Sequence, residues 1–286
     1  MATNPDDIFV ALDDVTKSFR LRGSHRERRS FNAVDHVNLR LRRGGSLGIA
    51  GESGSGKTTT AKMLLRLLHP TSGRVLIGGR DLETLHERGE MLHFRRSVQL
   101  MFQNPYEALN PRFTVERNLR EPLLIHRLGE RKEQDERIRA VLARVHLQPA
   151  ETYLHKFPHQ LSGGQLQRIV LARALIIAPE LLIADEPVSM LDVSVRAGVL
   201  NLMKQEAEAT GLTTVYISHD LSLIQYMCEM TAIMYLGAVV ESGPTASVLR
   251  HPAHPYTRAL LSAVPTTDPD QRTEPIEIIG EIPDPA

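Results

Sequence analysis

Apolar residues fall along this chain in two rhythms. Ser46–Ala50, Ser97–Phe102, Leu181–Asp185 and Thr213–Ser218 are short, nearly continuous β-rich apolar runs. That pattern predicts strands buried on both faces of a parallel sheet. Ile8–Val15 and Val34–Leu41 alternate apolar with polar positions instead, and predict a smaller antiparallel layer on the N-terminal side. Helical spacing separates the strands, so the fold class expected is α/β, a mostly parallel sheet covered by helices. Thr114–Val145 is charged, with Ile138, Val141, Leu142 and Val145 at helical intervals; it predicts a helical insert, closed by a loop over Leu147–Gln160. From His251 onward prolines recur (Pro252, Pro255, Pro265, Pro269, Pro275, Pro283, Pro285), and an extension wrapped on the surface is expected. The basic stretch Arg20–Arg29 reads as a solvated loop.

Composition narrows the class. With 286 residues, a formal net charge of zero and 5% aromatic residues, the chain has ample length for a core and no electrostatic footprint for nucleic acid. The single cysteine, Cys228, lies in the apolar stretch Ile224–Ile233 and reads as a small core residue. One thiol builds no disulfide framework, so an intracellular chain is expected. The greasiest region, Ile169–Ala184, is interrupted by Arg173, Pro179 and Glu180, which is too broken for a bilayer span. Met1–Asp7 carries acidic residues and no apolar core, unlike a secretory signal. A soluble chain is expected, whose membrane role, if it has one, passes through a partner.

The chemistry begins at Gly51-Glu52-Ser53-Gly54-Ser55-Gly56-Lys57-Thr58, a match to G-x-x-x-x-G-K-[ST]. Glycines let backbone N–H groups wrap a phosphate, and the helix expected from Thr59 points its N-terminal partial charge at the same anion. Lys57 reaches the β/γ-phosphates of a nucleotide, and the Thr58 hydroxyl is a ligand for Mg²⁺. The remaining apolar strands end in further chemistry: Gln103, the pair Asp185–Glu186, and His219 after Ser218. Ligands of an open parallel sheet sit beyond the carboxyl ends of its strands. An amide, two carboxylates and an imidazole beside a phosphate cradle are the parts for nucleoside triphosphate hydrolysis. Asp185 suits Mg²⁺ through its water shell, and Glu186 suits a base for the attacking water. Gln103 can ligate Mg²⁺ and sense the γ-phosphate, and His219 can hold that phosphate and the water in line. Taken singly each would more often be an ordinary strand-end residue, and it is their joint placement that points to this chemistry.

Leu161-Ser162-Gly163-Gly164-Gln165 precedes a second helical pattern (Leu166, Ile169, Val170, Ala174, Leu175), and makes a second ready anion site. One ATPase core does not need two, so this one is expected to close on a nucleotide held by another copy or a relative.

At this point the chain resembles the ABC ATPases. LSGGQ at Leu161–Gln165 is similar to their signature. The phosphate loop, Gln103, the signature, Leu181–Asp185 with Glu186, the turn Ser189-Met190-Leu191-Asp192 and His219 follow in the family's order. Phe19 matches the family's adenine-stacking aromatic. The resemblance implies a RecA-like P-loop NTPase domain at about residues 8–250, with an antiparallel β subdomain, a helical subdomain near 104–165 and a C-terminal extension at 251–286. It implies ATP and Mg²⁺, and a head-to-tail dimer in which Ser162, Gly163, Gly164, Gln165 and Asp192 meet the partner's nucleotide.

Phe102–Arg112, Glu186–Arg196 and His254–Pro265 are similar to the oligopeptide/dipeptide/nickel importer branch, in particular the second of its two ATPase subunits. That implies integral-membrane permease subunits, a related second ATPase as heterodimer partner, an indirect extracytoplasmic solute-binding protein, and a location on the cytoplasmic face of the membrane. Two alternatives stand beside this reading. An ABC-type ATPase acting on nucleic acid is disfavoured by the absence of long heptads between phosphate loop and signature. An ordinary P-loop kinase or GTPase leaves the LSGGQ helix unexplained.

Overall fold

The computed structural model describes residues 7–20 and 30–263. Most of the basic stretch Arg20–Arg29 and the proline-rich tail beyond Ala263 lie outside the described residues. The chain forms two units, Met1–Leu85 with Val215–Ala286, and His86–Thr214.

The first unit opens with β1 (Ile8–Arg20), β2 (Ser30–Arg42), β3 (Ser46–Ala50), α1 (Lys57–Leu64), β4 (Ser72–Ile77) and β5 (Arg80–Asp81). An antiparallel sheet runs in the order β2-β1-β4-β5. β1 and β2 extend past the expected Val15 and before the expected Val34, pairing from Ile8↔Arg42 to Arg20↔Ser30. Bulges between Leu12 and Ser18 break the period-2 alternation, which is why the pattern stopped short: each extra residue swaps the faces of those that follow. The same unit holds most of β8 (Thr213–Ser218), then α9 (Leu221–Met227), β9 (Met230–Tyr235), β10 (Ala238–Pro244), α10 (Thr245–Arg250) and α11 (Pro255–Ser262). Here β3 lies parallel to β9, with Leu47↔Met230 and Ala50↔Ile233. β8 borders β3 on its other side, and β10 folds back antiparallel on β9. The core of this sheet is Ile49, Val215, Ile217, Ala232 and Ile233, all excluded from solvent. Cys228 is buried, and burial pushes its thiol pKa up, so the expectation of a core cysteine holds.

The second unit contains α2 (Arg88–Ser97), β6 (Val98–Met101), α3 (Pro105–Ala108), α4 (Val115–Ile125), α5 (Arg131–Arg144), α6 (Glu151–Leu154), α7 (Gly163–Leu175), β7 (Leu181–Asp185) and α8 (Val193–Thr210). β6 and β7 pair in parallel from Val98↔Leu181 to Met101↔Ala184. The expected helical insert is two helices. Thr114 caps α4, its hydroxyl accepting from Arg117 N at 3.4 Å, and Glu130 and Glu133 form a capping box that starts α5. A cap of this kind is worth about 1 kcal/mol. Arg120 joins the pair by ion pairs to Glu116 and Asp135, and holds the Asp135 carboxyl below its ordinary range. The expected loop at Leu147–Gln160 contains α6 and a 3₁₀ turn at Pro158–Gln160.

The described part of the expected extension from His251 carries α11. α11 buries Tyr256, Thr257 and Ala259, so the chain folds into the first unit before the described residues end. Among the described residues no helix is long and apolar enough to cross a membrane.

Candidate functional site

In the first unit, β3 delivers the phosphate loop. At Gly51 the backbone turns with φ of 149°, and a Cβ placed there would lie 2.2 Å from the carbonyl oxygen of Met234 on β9. The parallel pairing of β3 with β9 brings these two residues together, so only glycine fits. Ser55 N donates to Glu52 O (3.2 Å) and Gly237 N donates to Ser55 O (3.1 Å). Gly56 is the left-handed N-cap of α1, and Thr60 N and the Thr60 hydroxyl both donate to its carbonyl. Lys57, 7% exposed, turns its ammonium into the loop, donating to Gly51 O (2.7 Å), Glu52 O (2.5 Å) and Ser55 Oγ (3.3 Å). Ser53, Gly54 and Thr58 are exposed on the open side, and Glu52 and Thr59 are half-buried.

His219 belongs to the same unit, one residue past β8, the strand beside β3. Asp220 N donates to Ser218 Oγ (3.0 Å), and the Asp220 carboxylate caps α9 by accepting from Ser222 N (2.9 Å). The turn is thus fixed on both sides and the imidazole is exposed at its apex. Phe19, on β1, stands opposite Phe31 with ring centroids 5.9 Å apart, and Lys17 Nζ lies 5.4 Å over its ring.

In the second unit, the register of β6 with β7 aligns Met101 with Ala184. The residues just beyond, Gln103 on one strand and Asp185–Glu186 on the other, therefore leave the pair at the same end. Glu186 has φ of 49°, the left-handed region that costs a non-glycine residue about 1 kcal/mol or more. Its carbonyl accepts from Ser189 N (3.2 Å) and the Ser189 hydroxyl (3.1 Å). The next carbonyl, Pro187 O, accepts from Gln167 Nε2 of α7. Gln167 is 2% exposed, so this bond ties the helix behind the signature to the backbone that carries Glu186.

The signature turn is built as a helix start. Ser162 caps α7: its hydroxyl accepts from Gln165 N (3.3 Å), and Gln165 Oε1 accepts from Ser162 N (3.1 Å). Ser162 and Gly163 are exposed, and the first amides of a helix lack intrahelical partners. A Cβ on Gly164 would fall 2.4 Å from Val195 Cγ1 of α8, so this glycine permits close packing of α7 against α8. Asp192 is exposed at the start of α8, its carbonyl accepting from Val195 N and Arg196 N (both 3.0 Å).

Two contacts escaped the sequence reading. Gln167 lacks a motif, and its role depends on a fold contact 20 residues away. The Tyr256 hydroxyl accepts from Glu52 N of the phosphate loop at 3.0 Å across 204 residues, a contact that no local spacing announces. His254 caps α11 by accepting from Tyr256 N at Nδ1 (3.1 Å).

Residues 34–189 match the family described as ABC transporter, and residues 240–286 match the oligopeptide/dipeptide transporter, C-terminal region. The chain is 42% identical over 289 residues to the oligopeptide transport ATP-binding protein AppF of Bacillus subtilis, covering 100% of this chain and 87% of that protein. It is 43% identical over 285 residues to the dipeptide transport ATP-binding protein DppF of Escherichia coli, covering 99% of this chain and 84% of that one. Among solved structures it is similar to the dimeric post-hydrolysis state of the ATP-binding cassette MJ0796 bound to ADP and Pi, with a TM-score of 0.72 and 30% identity over 82% of this chain and 98% of that chain.

Proposed function

Since the chain belongs to the ABC transporter family, in its oligopeptide/dipeptide branch, we propose that it is the ATP-hydrolysing subunit that powers a membrane importer of peptides. The fold is the α/β P-loop NTPase fold of the family's cassettes. The observation that carries the reading is the phosphate loop, with Gly51 wedged on Met234 and Lys57 folded against the carbonyls of Gly51 and Glu52 at the start of α1. The match over residues 240–286 and the names of the relatives support peptides as the solute, and favour transport over an ATPase that acts on nucleic acid. In this reading residues 8–250 are the ATPase domain, with a helical subdomain near 104–165, and 251–286 are the extension.

The residues present fit ATP and Mg²⁺. A lysine whose ammonium sits among neutral carbonyls exchanges them for a phosphate oxygen at little cost, since an ammonium is drawn more strongly to a negative charge than to a neutral dipole. The amides of Ser53–Thr59 then surround the phosphates, and Phe19 stacks on the adenine. Asp185, Gln103 and the Thr58 hydroxyl are hard oxygen donors of the kind Mg²⁺ takes alongside waters and phosphate. When bound, Mg²⁺ neutralises charge on the β- and γ-phosphate oxygens. Glu186 accepts the proton of the attacking water, and His219 holds that water and the γ-phosphate in line. Ser162, Gly163, Gly164, Gln165 and Asp192 close on the nucleotide of a second ATPase subunit, so that ATP binding draws two chains together and hydrolysis releases them.

The partners are integral-membrane permease subunits, a related ATPase subunit as heterodimer partner and, indirectly, an extracytoplasmic solute-binding protein. The chain sits peripherally on the cytoplasmic face of the membrane. Glu186→Gln tests the reading in the assembled transporter. Turnover is expected to fall by at least about a hundredfold, while MgATP affinity stays near that of the unaltered chain. Near-normal hydrolysis by this variant removes Glu186 from the mechanism.

A further inference from the structure

Among the contacts that tie the phosphate loop to the rest of its unit are three at Gly51, Ser55 and Glu52. Gly51 packs on Met234, and Ser55 O accepts from Gly237 N; both ties come from β9 and the turn that follows it. The third comes from farther along the chain. Tyr256, in the first turn of α11, lays its ring on Tyr235 with centroids 4.3 Å apart, and its hydroxyl oxygen accepts from Glu52 N. Tyr256 as a whole is 5% exposed.

Glu52 is held from both ends of its peptide links. Its N–H goes to Tyr256, and its C=O accepts from Lys57 Nζ and Ser55 N. When Lys57 turns to a phosphate, Glu52 O gives up its ammonium. The bond to Tyr256 does not involve Lys57 and survives that change. It also points the Glu52 amide at Tyr256 of α11, which settles the direction of the peptide plane between Gly51 and Glu52 before any anion arrives. A loop already shaped for its ligand spends less of the binding free energy on ordering itself.

α11 is anchored well enough to serve as a brace. The Glu241 carboxylate of β10 accepts from Ala253 N (2.9 Å) and His254 N (3.1 Å). Burial works to raise the Glu241 pKa, and these bonds outweigh it and leave the group below its ordinary range. His254 caps the helix, and Arg258 Nε donates to Pro252 O (3.0 Å). Burial likewise pushes the Tyr256 phenol up, to about 12, so it stays protonated and neutral through the physiological range.

We propose that Tyr256 is a positioning residue for ATP: through Glu52 N it fixes the first turn of the phosphate loop, and so makes the segment after residue 250 a determinant of nucleotide affinity. The proposal rests on the reading of Gly51–Thr58 as the ATP phosphate loop.

The test uses the full chain in its assembled transporter. Tyr256→Phe keeps the ring on Tyr235 and removes the acceptor alone. The KM for ATP, and the Kd for a non-hydrolysable ATP analogue, are expected to rise about three- to tenfold, the range of one lost hydrogen bond, with kcat nearly unchanged. Arg258→Ala, which weakens the anchoring of α11 without touching the loop, is expected to raise both constants by a smaller factor, about twofold at most. A Tyr256→Phe protein with unaltered KM and Kd overturns the proposal. So does a fall in kcat at constant KM, or an equal rise in KM from Arg258→Ala. If Tyr256→Phe does not assemble, Glu241→Gln gives the second reading. A rise in KM of about twofold supports the brace, on the smaller loss expected from weakening rather than deleting a contact, and no change refutes it. If the unaltered chain does not bind ATP, it is the phosphate-loop reading that fails.

Discussion

The phosphate loop and the signature turn both use glycine and a hydroxyl to open a helix, yet they are held in different ways. Around Gly51–Thr58 the backbone is gripped from several directions. Met234 O closes on Gly51, Gly237 N and Tyr256 reach in from the strands and helix behind, and Lys57 is folded inside. Ser55 and Lys57 are 4% and 7% exposed. At Ser162–Gln165 the hydrogen bonds are local, a capping box between Ser162 and Gln165, and the main tertiary constraint is Gly164 against Val195. Ser162 and Gly163 face outward. A site that binds its ligand within one chain needs walls. A helix start presented at the surface has the form suited to a ligand that another chain brings.

The contrast predicts unequal responses to the same small change. Gly51→Ala is the severe one: the added methyl meets backbone at 2.2 Å, and neither Met234 O nor the strand pairing behind it can yield. ATP affinity in the transporter should fall by a hundredfold or more, on the order of 3 kcal/mol, as for overpacking that forces backbone movement. An affinity within about threefold of the unaltered chain would mean that the loop is less tightly gripped than its contacts imply.

Gly164→Ala should be milder. Its methyl meets the side chain of Val195, and the expected loss is about 1–2 kcal/mol of stability, read as the shift in a denaturant midpoint. Val195→Ala in the same chain should recover most of it, since the two changes share one contact. Failure of the second substitution to rescue the first would place the strain in the α7 backbone instead of in the contact with α8.

The same contrast governs what could be read before the structure. β3, β7 and β8 begin and end where the apolar runs did, because strands covered on both faces leave an uninterrupted signal. The residues that follow them, Gln103, Asp185, Glu186 and His219, were legible as strand-end chemistry for the same reason. β9 and β10 were not read as strands, although β9 forms one wall of the phosphate loop; its residues lay in an apolar stretch that served only to place Cys228. β1 and β2 were cut short where bulges reverse the alternation. The helical insert was recognised as helical, but its division into α4 and α5 depends on caps at Thr114 and Glu130. What stayed invisible was contact at long range: Gln167 with Pro187, and Tyr256 with Glu52. Neither spacing nor periodicity records a hydrogen bond across 204 residues.

The central claim is that the two helix starts serve two different ATP molecules, one held by this chain and one by its partner. Photo-crosslinking with labelled ATP in the assembled transporter, with hydrolysis followed at each ATPase subunit, tests it directly. Lys57→Ala should abolish labelling of this chain and leave the partner labelled. Ser162→Arg sets a bulky charge at the exposed cap of α7 and should block its approach to the partner's γ-phosphate. This chain should then still be labelled at its own loop, while dimer closure and hydrolysis at the partner's site are lost. Loss of labelling of this same chain by Ser162→Arg would contradict the account, because the signature turn would then belong to the chain's own nucleotide.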